Sequence, residues 1–310
     1  MRKLGRFALL FVLIGLGGLF VWLLAKQPSH ERDWKTEYAV LPQALFQGDQ
    51  LTIRDLRNFT YNPDGSVREP RYEDRTYDLS KLDSLWYGIS HFFDYGLAHT
   101  FVSFGFQDHQ YLTISVEARQ AKGQSYHPLR GLLREYELIY LATDERDVIG
   151  VRTHVRGEQV HLYEVKVETE KMRRLLFAML GTMNEIYQTP IYYDTLADNC
   201  TTNILQHAER LSIWDIYLDY RGLLPGYSDS LIYEIGALDT SMPLKELRRK
   251  SRIDPAITAI DDPHFSRKIR GSPGRPGNWP FAPSFSAPAP TLEASTSMQS
   301  PASRVCFSPS

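Results

Sequence analysis

The sequence predicts an α+β fold, an antiparallel sheet packed on helices and preceded by one transmembrane helix. Three patterns carry that expectation. Phe7 to Ala25 contains no charged residue, Thr100–Phe106 and Tyr111–Arg119 alternate apolar with polar side chains, and a helical stripe of apolar residues begins at Met172. The 310 residues, 43% hydrophobic and 23% charged, are ordinary globular material, and a net charge of -2 leaves no footprint for nucleic acid.

At the amino end Arg2, Lys3 and Arg6 precede the uncharged run. About 19 residues at about 1.5 Å each cross most of a hydrocarbon core of roughly 30 Å. The run is longer than a secretory signal, and Trp22-Leu23-Leu24-Ala25-Lys26-Gln27 makes a poor cleavage site, so an uncleaved anchor is favoured over a removed leader. The expected order is residues 1–6 in the cytoplasm, 7–25 in the inner membrane and the rest translocated, which in a bacterium is the periplasm. Residues 26–50 read as a polar stalk, 51–270 as the main domain, and 271–310 as a disordered Pro/Ser-rich tail.

Within the main domain Leu51 to Phe59 reads as a strand and Asn62-Pro63-Asp64-Gly65 as a turn, while Trp86 to Ala98 is apolar without a clear period. The next two runs form a hairpin whose register follows from its apolar sets. Leu112, Ile114, Val116 and Ala118 make one face of the second strand; Val102, Phe104 and Phe106 match them on the first. A slip of one residue sends either set to the wrong side. The simplest loop is then Gln107-Asp108-His109, pairing Phe104 with Leu112, Val102 with Ile114, Thr100 with Val116 and His99 with Glu117. Opposed side chains lie about 5 Å apart at Cβ, so imidazole and carboxylate can bond. Such a pair is either a cross-strand polar contact or the base and orienter of a catalytic set, and Ser115 or Thr113 are alternative orienters.

Gly131–Tyr140, Asp147–Val155 and Gln159–Val167 read as further strands, with turns at Tyr140–Asp144 and Arg156-Gly157-Glu158. Thr169 caps a long helix whose stripe is Met172, Leu175, Leu176, Met179, Leu180 and Met183, and Pro190 closes it. His154 and His161 could face one another across adjacent strands, but no metal-spaced ligand joins them. No HExxH, Cys-x-x-Cys, P-loop or paired-glycine pattern occurs, so neither metal nor cofactor is expected.

Ile191-Tyr192-Tyr193 leads to Asp198-Asn199-Cys200-Thr201-Thr202, and Ile204, Leu205, Ala208 and Leu211 follow at helical spacing. A thiol in the first turn of a helix feels the positive end of the backbone dipoles, which favours thiolate. The bland alternative is a buried apolar cysteine behind an ordinary Asn or Thr cap. The other cysteine, Cys306, lies in the tail, so a disulfide to Cys200 is disfavoured. An unpaired thiol in an oxidising compartment is then either buried or used.

Ala98-His99-Thr100-Phe101-Val102-Ser103-Phe104-Gly105-Phe106, Ile114-Ser115-Val116-Glu117-Ala118-Arg119, Asp198-Asn199-Cys200-Thr201-Thr202 and Leu224-Pro225-Gly226-Tyr227-Ser228 together resemble the Lnb N-terminal periplasmic domain family of bacterial lipoprotein N-acyltransferases, over roughly residues 35 to 250. The resemblance implies a permuted papain-like fold related to NlpC-type peptidases, with the histidine strands ahead of the cysteine helix. It gives Cys200 the role of nucleophile, His99 that of base and Glu117 that of orienter, with membrane lipid or lipoprotein as substrate. Family acyltransferases carry further spans after this domain, where this chain has its Pro/Ser-rich tail. Tyr193 and Asn199 are candidate second donors to an oxyanion, beside the Cys200 N–H. Two other readings stay open: a cysteine peptidase acting on peptidoglycan, and an anchored interaction domain without catalysis.

Overall fold

The computed structural model describes residues 2–92, 96–208 and 219–270, all within one compact unit, Met1–Arg275. Leu211, Cys306 and the 271–310 tail lie outside the described residues.

The first helix, α1, runs Arg2–Ala25. Phe7, Leu10, Phe11, Leu13, Ile14 and Trp22 on it are at least half exposed. Among the described residues no helix is long and apolar enough to cross a membrane. The side chains at 2–6, 8, 9, 20 and 24 are not among those described.

The expected α+β architecture is present, with a sheet that is almost wholly antiparallel. Strands β1 (Gln43–Gln47), β2 (Gln50–Arg57), β5 (Tyr72–Asp78), β6 (Leu82–His91), β7 (Ala98–Phe106), β8 (Tyr111–Arg119), β9 (Glu137–Thr143) and β10 (Gln159–Glu164) form one eight-stranded sheet. Its order is β1-β2-β9-β8-β7-β6-β10, with β5 on β2; β3 (Thr60–Tyr61) and β4 (Val67–Glu69) pair separately around the expected turn. The one parallel contact is β2 with β9, at Arg57↔Thr143. The segment expected as a stalk supplies the edge strand β1 and the buried Trp34.

The hairpin has the register that the apolar pattern dictates. Phe104 pairs with Leu112 and Val102 with Ile114, and the Phe106 N–H closes the three-residue loop on the Gln110 carbonyl at 3.0 Å. The loop is feasible because His109 takes φ 63°, a left-handed conformation common in such turns. The even-numbered apolar residues of β7 and β8 pack into one core with the stripe of α4 (Thr169–Gln188): Met172, Leu175, Leu176, Met179, Leu180 and Met183 are all buried there. Thr169 is the first helical residue rather than the cap, a position held by Glu168.

Several local expectations are corrected. Residues 147–155 are helical: α3 (Glu145–Gly150) continues as a π-helical turn, Val151–Val155. The β-branched run reads as a strand, yet Asp144 caps the helix by accepting from the Arg146 N–H at 2.9 Å. Asp147 then fixes it, accepting from Arg57 Nε, the Phe59 N–H and the Tyr61 hydroxyl at 2.8–2.9 Å. The Gly131–Tyr140 strand is displaced to β9, because Pro128 opens a short helix, α2 (Pro128–Leu132), capped by His127. The chain then turns through Arg134 at φ 54°. No turn occupies Tyr140–Thr143, which is strand. His154 does not face His161: it contacts the Thr258 carbonyl at 2.8 Å, whereas His161 meets the His91 ring edge-on at 5.5 Å.

Candidate active site

Cys200 is the first residue of α5 (Cys200–His207), and the local sequence fixes that start tightly. Asn199 Oδ1 accepts from the Thr201 and Thr202 N–H groups at 2.8 and 2.9 Å, and Thr202 Oγ1 accepts in return from the Asn199 N–H at 2.9 Å. This reciprocal capping box satisfies three first-turn donors and holds the helix terminus in one orientation. The Cys200 N–H is not taken up by these bonds. The Asn199 amide group is itself committed, donating from Nδ2 to the Thr195 carbonyl at 3.0 Å. Asn199 is therefore a cap, with one of its two amide hydrogens already given to Thr195.

The helix start is tied to β7 through Thr201, whose hydroxyl lies 3.1 Å from that of Thr100. The β7–β8 ladder runs only from Gly105↔Tyr111 to Phe101↔Ser115. The expected pairs Thr100–Val116 and His99–Glu117 continue the same register but stand beyond it. Where the ladder stops, His99 and Thr100 are near enough to Cys200 to stabilise its thiolate.

His99 Nε2 lies 2.7 Å from Ser115 Oγ and 3.2 Å from Glu117 Oε1, and Ser115 Oγ donates to Glu117 at 2.9 Å. With Nε2 engaged in that way, Nδ1 is the nitrogen left for sulfur. Cys200 and His99 are 6% and 9% exposed, so both groups are nearly sealed from solvent. The π-helical turn delivers Arg152, whose Nη2 is 3.3 Å from Glu117 and whose Nε is 3.8 Å from Glu158.

The electrostatics follow from this cluster. Burial alone lowers the His99 basicity, and Arg152 lowers it further, yet the Glu117 charge and the bonds to Cys200 and Glu117 outweigh them and hold it at about 9. Burial pushes the Glu117 carboxyl up, but His99, Arg152 and Arg57 together depress it well below the usual carboxylate range. For Cys200 burial again opposes charge, while His99 and Thr100 stabilise the thiolate and the net direction is down. A thiolate beside an imidazolium is the state this geometry favours.

Tyr193 is buried, with its hydroxyl 3.3 Å from that of Tyr126, and both phenols lie within electrostatic reach of Cys200. Arg152, Thr100 and Tyr126 went unanticipated. Arg152 was hidden by the misread strand, and the Thr100 contact depends on where a ladder ends, which no side-chain pattern encodes. Among the described residues no group of three or more His, Cys, Asp or Glu side chains is arranged to hold a metal ion.

The family model described as Lnb N-terminal periplasmic domain matches residues 68–226, just over half of the chain. The match spans His99, Ser115, Glu117, Arg152 and Cys200. No curated protein and no solved structure matches the chain.

Proposed function

We propose, for a chain that belongs to the Lnb N-terminal periplasmic domain family, a membrane-anchored periplasmic thiol enzyme that transfers or hydrolyses acyl groups of lipids or lipoproteins. The observation that carries this is the His99 imidazole, held by Ser115 and the Glu117 carboxylate in a nearly dry site and near enough to Cys200 to stabilise its thiolate. The order of histidine strands before cysteine helix fits a permuted papain-like domain. The periplasmic location is supported by the family description, and the anchor by α1, 24 residues or about 36 Å long, with no charge from Phe7 to Ala25.

In this reading His99 takes the proton of Cys200, and the thiolate attacks the acyl carbonyl carbon. The oxygen becomes an oxyanion that receives the Cys200 N–H, and Tyr193 is the neighbouring hydroxyl. Collapse breaks the ester bond; the leaving oxygen takes the proton from His99, and a thioester remains on Cys200. An amine or water then attacks, giving its proton to His99 and restoring the thiol on departure. Glu117 holds the ring and stabilises its charged form.

The test is alkylation of Cys200 across a pH series in wild type and His99→Ala, with mass spectrometry for an acyl adduct on Cys200 after exposure to phospholipid. The expected result is rapid alkylation at neutral pH, lost in His99→Ala, and a lipid-derived thioester. A thiol reacting only near its ordinary pKa of about 8.5, indifferent to the histidine change, overturns the reading. Release of amino acids from cell-wall fragments without a lipid adduct assigns the site to peptide cleavage instead.

A further inference from the structure

The surface where α1 leaves for the domain carries exposed apolar side chains from two elements. On α2, Leu129 and Leu132 are 61% and 36% exposed and stand three residues apart, on one helix face. Leu196, 50% exposed, and Ile191, 41%, lie on the segment that leads into Cys200. Thr195 Oγ1 donates to the Pro128 carbonyl at 2.6 Å, so that segment and α2 are bonded together.

The end of α1 is fastened to the same place. Lys26 Nζ donates to the Leu133 carbonyl at 2.7 Å, and Arg134 Nη1 donates to the Leu23 carbonyl at 3.0 Å. Three residues beyond, the Ser29 N–H and Lys26's neighbour in charge, Arg32, both bond to Glu137 at the start of β9, at 3.3 and 2.6 Å. Four residues span at most about 14 Å even when fully extended. A domain attached through so short and so bonded a connection cannot stand away from the plane in which α1 ends. Trp22, with Lys26 Nζ 3.8 Å above its ring, is the aromatic and basic pairing that suits a headgroup layer. Arg130, itself half-exposed with Glu135 at 3.7 Å, adds a cation beside Leu129.

We propose that α2 and residues 191–196 form a face that rests on the bilayer. Leu129, Leu132 and Leu196 enter the boundary between headgroups and acyl chains, and Lys26, Arg130 and Arg134 lie at anionic headgroups. The commitment to lipid rests on continuity with the apolar surface of α1 and on these cations, and therefore on α1 being an anchor, as in the functional reading above. Leu196 is four residues from Cys200, so lipid drawn to this face arrives beside the nucleophile without leaving the interface.

The experiment uses the full chain in vesicles of phosphatidylethanolamine and phosphatidylglycerol, in a Cys200→Ser, Cys306→Ser background. An environment-sensitive fluorophore is attached through Leu129→Cys, Leu132→Cys or Leu196→Cys, and through Ser66→Cys as the control. Ser66 lies in the β3–β4 turn, past the far end of β9, about 20 Å along that strand from Glu137. Brominated lipid is expected to quench the three leucine positions about twofold and to leave position 66 unchanged. A folding defect at one leucine leaves the other two positions to decide. Equal quenching at all four positions, or none, overturns the proposal. So does a signal at the leucine positions that follows the protein-to-lipid ratio instead of bromine content, since a second copy then covers them. The readout needs no chemistry at Cys200, and the adduct is sought separately in the wild-type chain: quenched leucines with no wild-type adduct reject the enzyme reading alone, and unquenched leucines with a wild-type adduct reject this surface alone.

Discussion

His99 Nε2 and Glu117 Oε1 lie 3.2 Å apart, although the ladder joining their strands ends two residues short of them, at Phe101↔Ser115. The register sets the approach, and at the end of the ladder Thr100, the next residue, helps to stabilise the Cys200 thiolate. One strand end thus orients an imidazole on one side and supports a thiolate on the other. The pair is buried, so its charges act through a medium far less polar than water.

Glu117→Gln tests what the carboxylate does, because the amide keeps the shape and removes the charge. Glu117 is the largest influence raising His99, so the imidazole loses basicity and the thiolate loses its cationic partner. Arg152, left facing a neutral amide, depresses the ring further. Alkylation of Cys200 at neutral pH is expected to slow by about tenfold or more, with the rate profile displaced to higher pH. An unchanged profile assigns Glu117 to packing.

The same couplings predict a pH window for stability. The folded His99 value of about 9 is above its ordinary 6.5, so its contribution is complete below 6.5 and is lost as pH rises toward 9. Glu117 is depressed from 4.5, so its contribution is present above 4.5 and is lost as pH falls further. Buried histidines such as His161, held down at about 3, also draw stability away below pH 6.5, so the His99 contribution is read as the difference from a variant: relative to His99→Gln, the wild-type Tm should decline by a few degrees from pH 6.5 to 9 as on the order of 1 kcal/mol is withdrawn. A decline of equal size in the variant has another source.

The parts of this site legible in the sequence are those written in side-chain alternation. Val102, Phe104, Leu112 and Ile114 have one register that buries them all, and that register brings His99 opposite Glu117. The cap was legible as residue types, Asn199 and Thr202, though not as the further bond from Asn199 Nδ2 to the Thr195 carbonyl. Arg152 was not legible, because Val148, Ile149 and Val151 satisfy a buried strand as well as a buried helix. What decides for helix is the Asp144 cap and the Arg57–Asp147 pair, a contact spanning 90 residues. The displaced β9 has a similar cause: Pro128 behind a capping His127 starts a helix where periodicity alone suggests extended chain.

Asn199 separates helix stability from thiol chemistry. Asn199→Ala removes the acceptor of two N–H groups and should cost about 1–2 kcal/mol, read as a lower Tm. Asn199→Asp keeps the acceptor of both N–H groups but loses the bond to the Thr195 carbonyl, so part of the stability goes, and it sets a negative charge next to Cys200. Like charge disfavours the thiolate, so alkylation at neutral pH should slow more in Asn199→Asp than in the uncharged Asn199→Ala. If Asn199→Asp reacts as fast as wild type, the helix start is not controlling the thiol.

Ser115 is the group to separate from Glu117 in orienting the ring. Its single proton goes to Glu117, so toward His99 the hydroxyl oxygen is an acceptor, and Nε2 must carry a hydrogen. In the neutral ring that leaves the lone pair on Nδ1, the nitrogen left to take the proton of Cys200. Ser115→Ala removes this acceptor but leaves Glu117 at 3.2 Å to hold the same N–H. The tautomer is therefore retained, and turnover should fall by about tenfold or less, with little movement of the pH profile, against a larger loss in Glu117→Gln. If Ser115→Ala is as damaging as Glu117→Gln and its profile shifts alike, the hydroxyl orients the imidazole and the carboxylate only neutralises it.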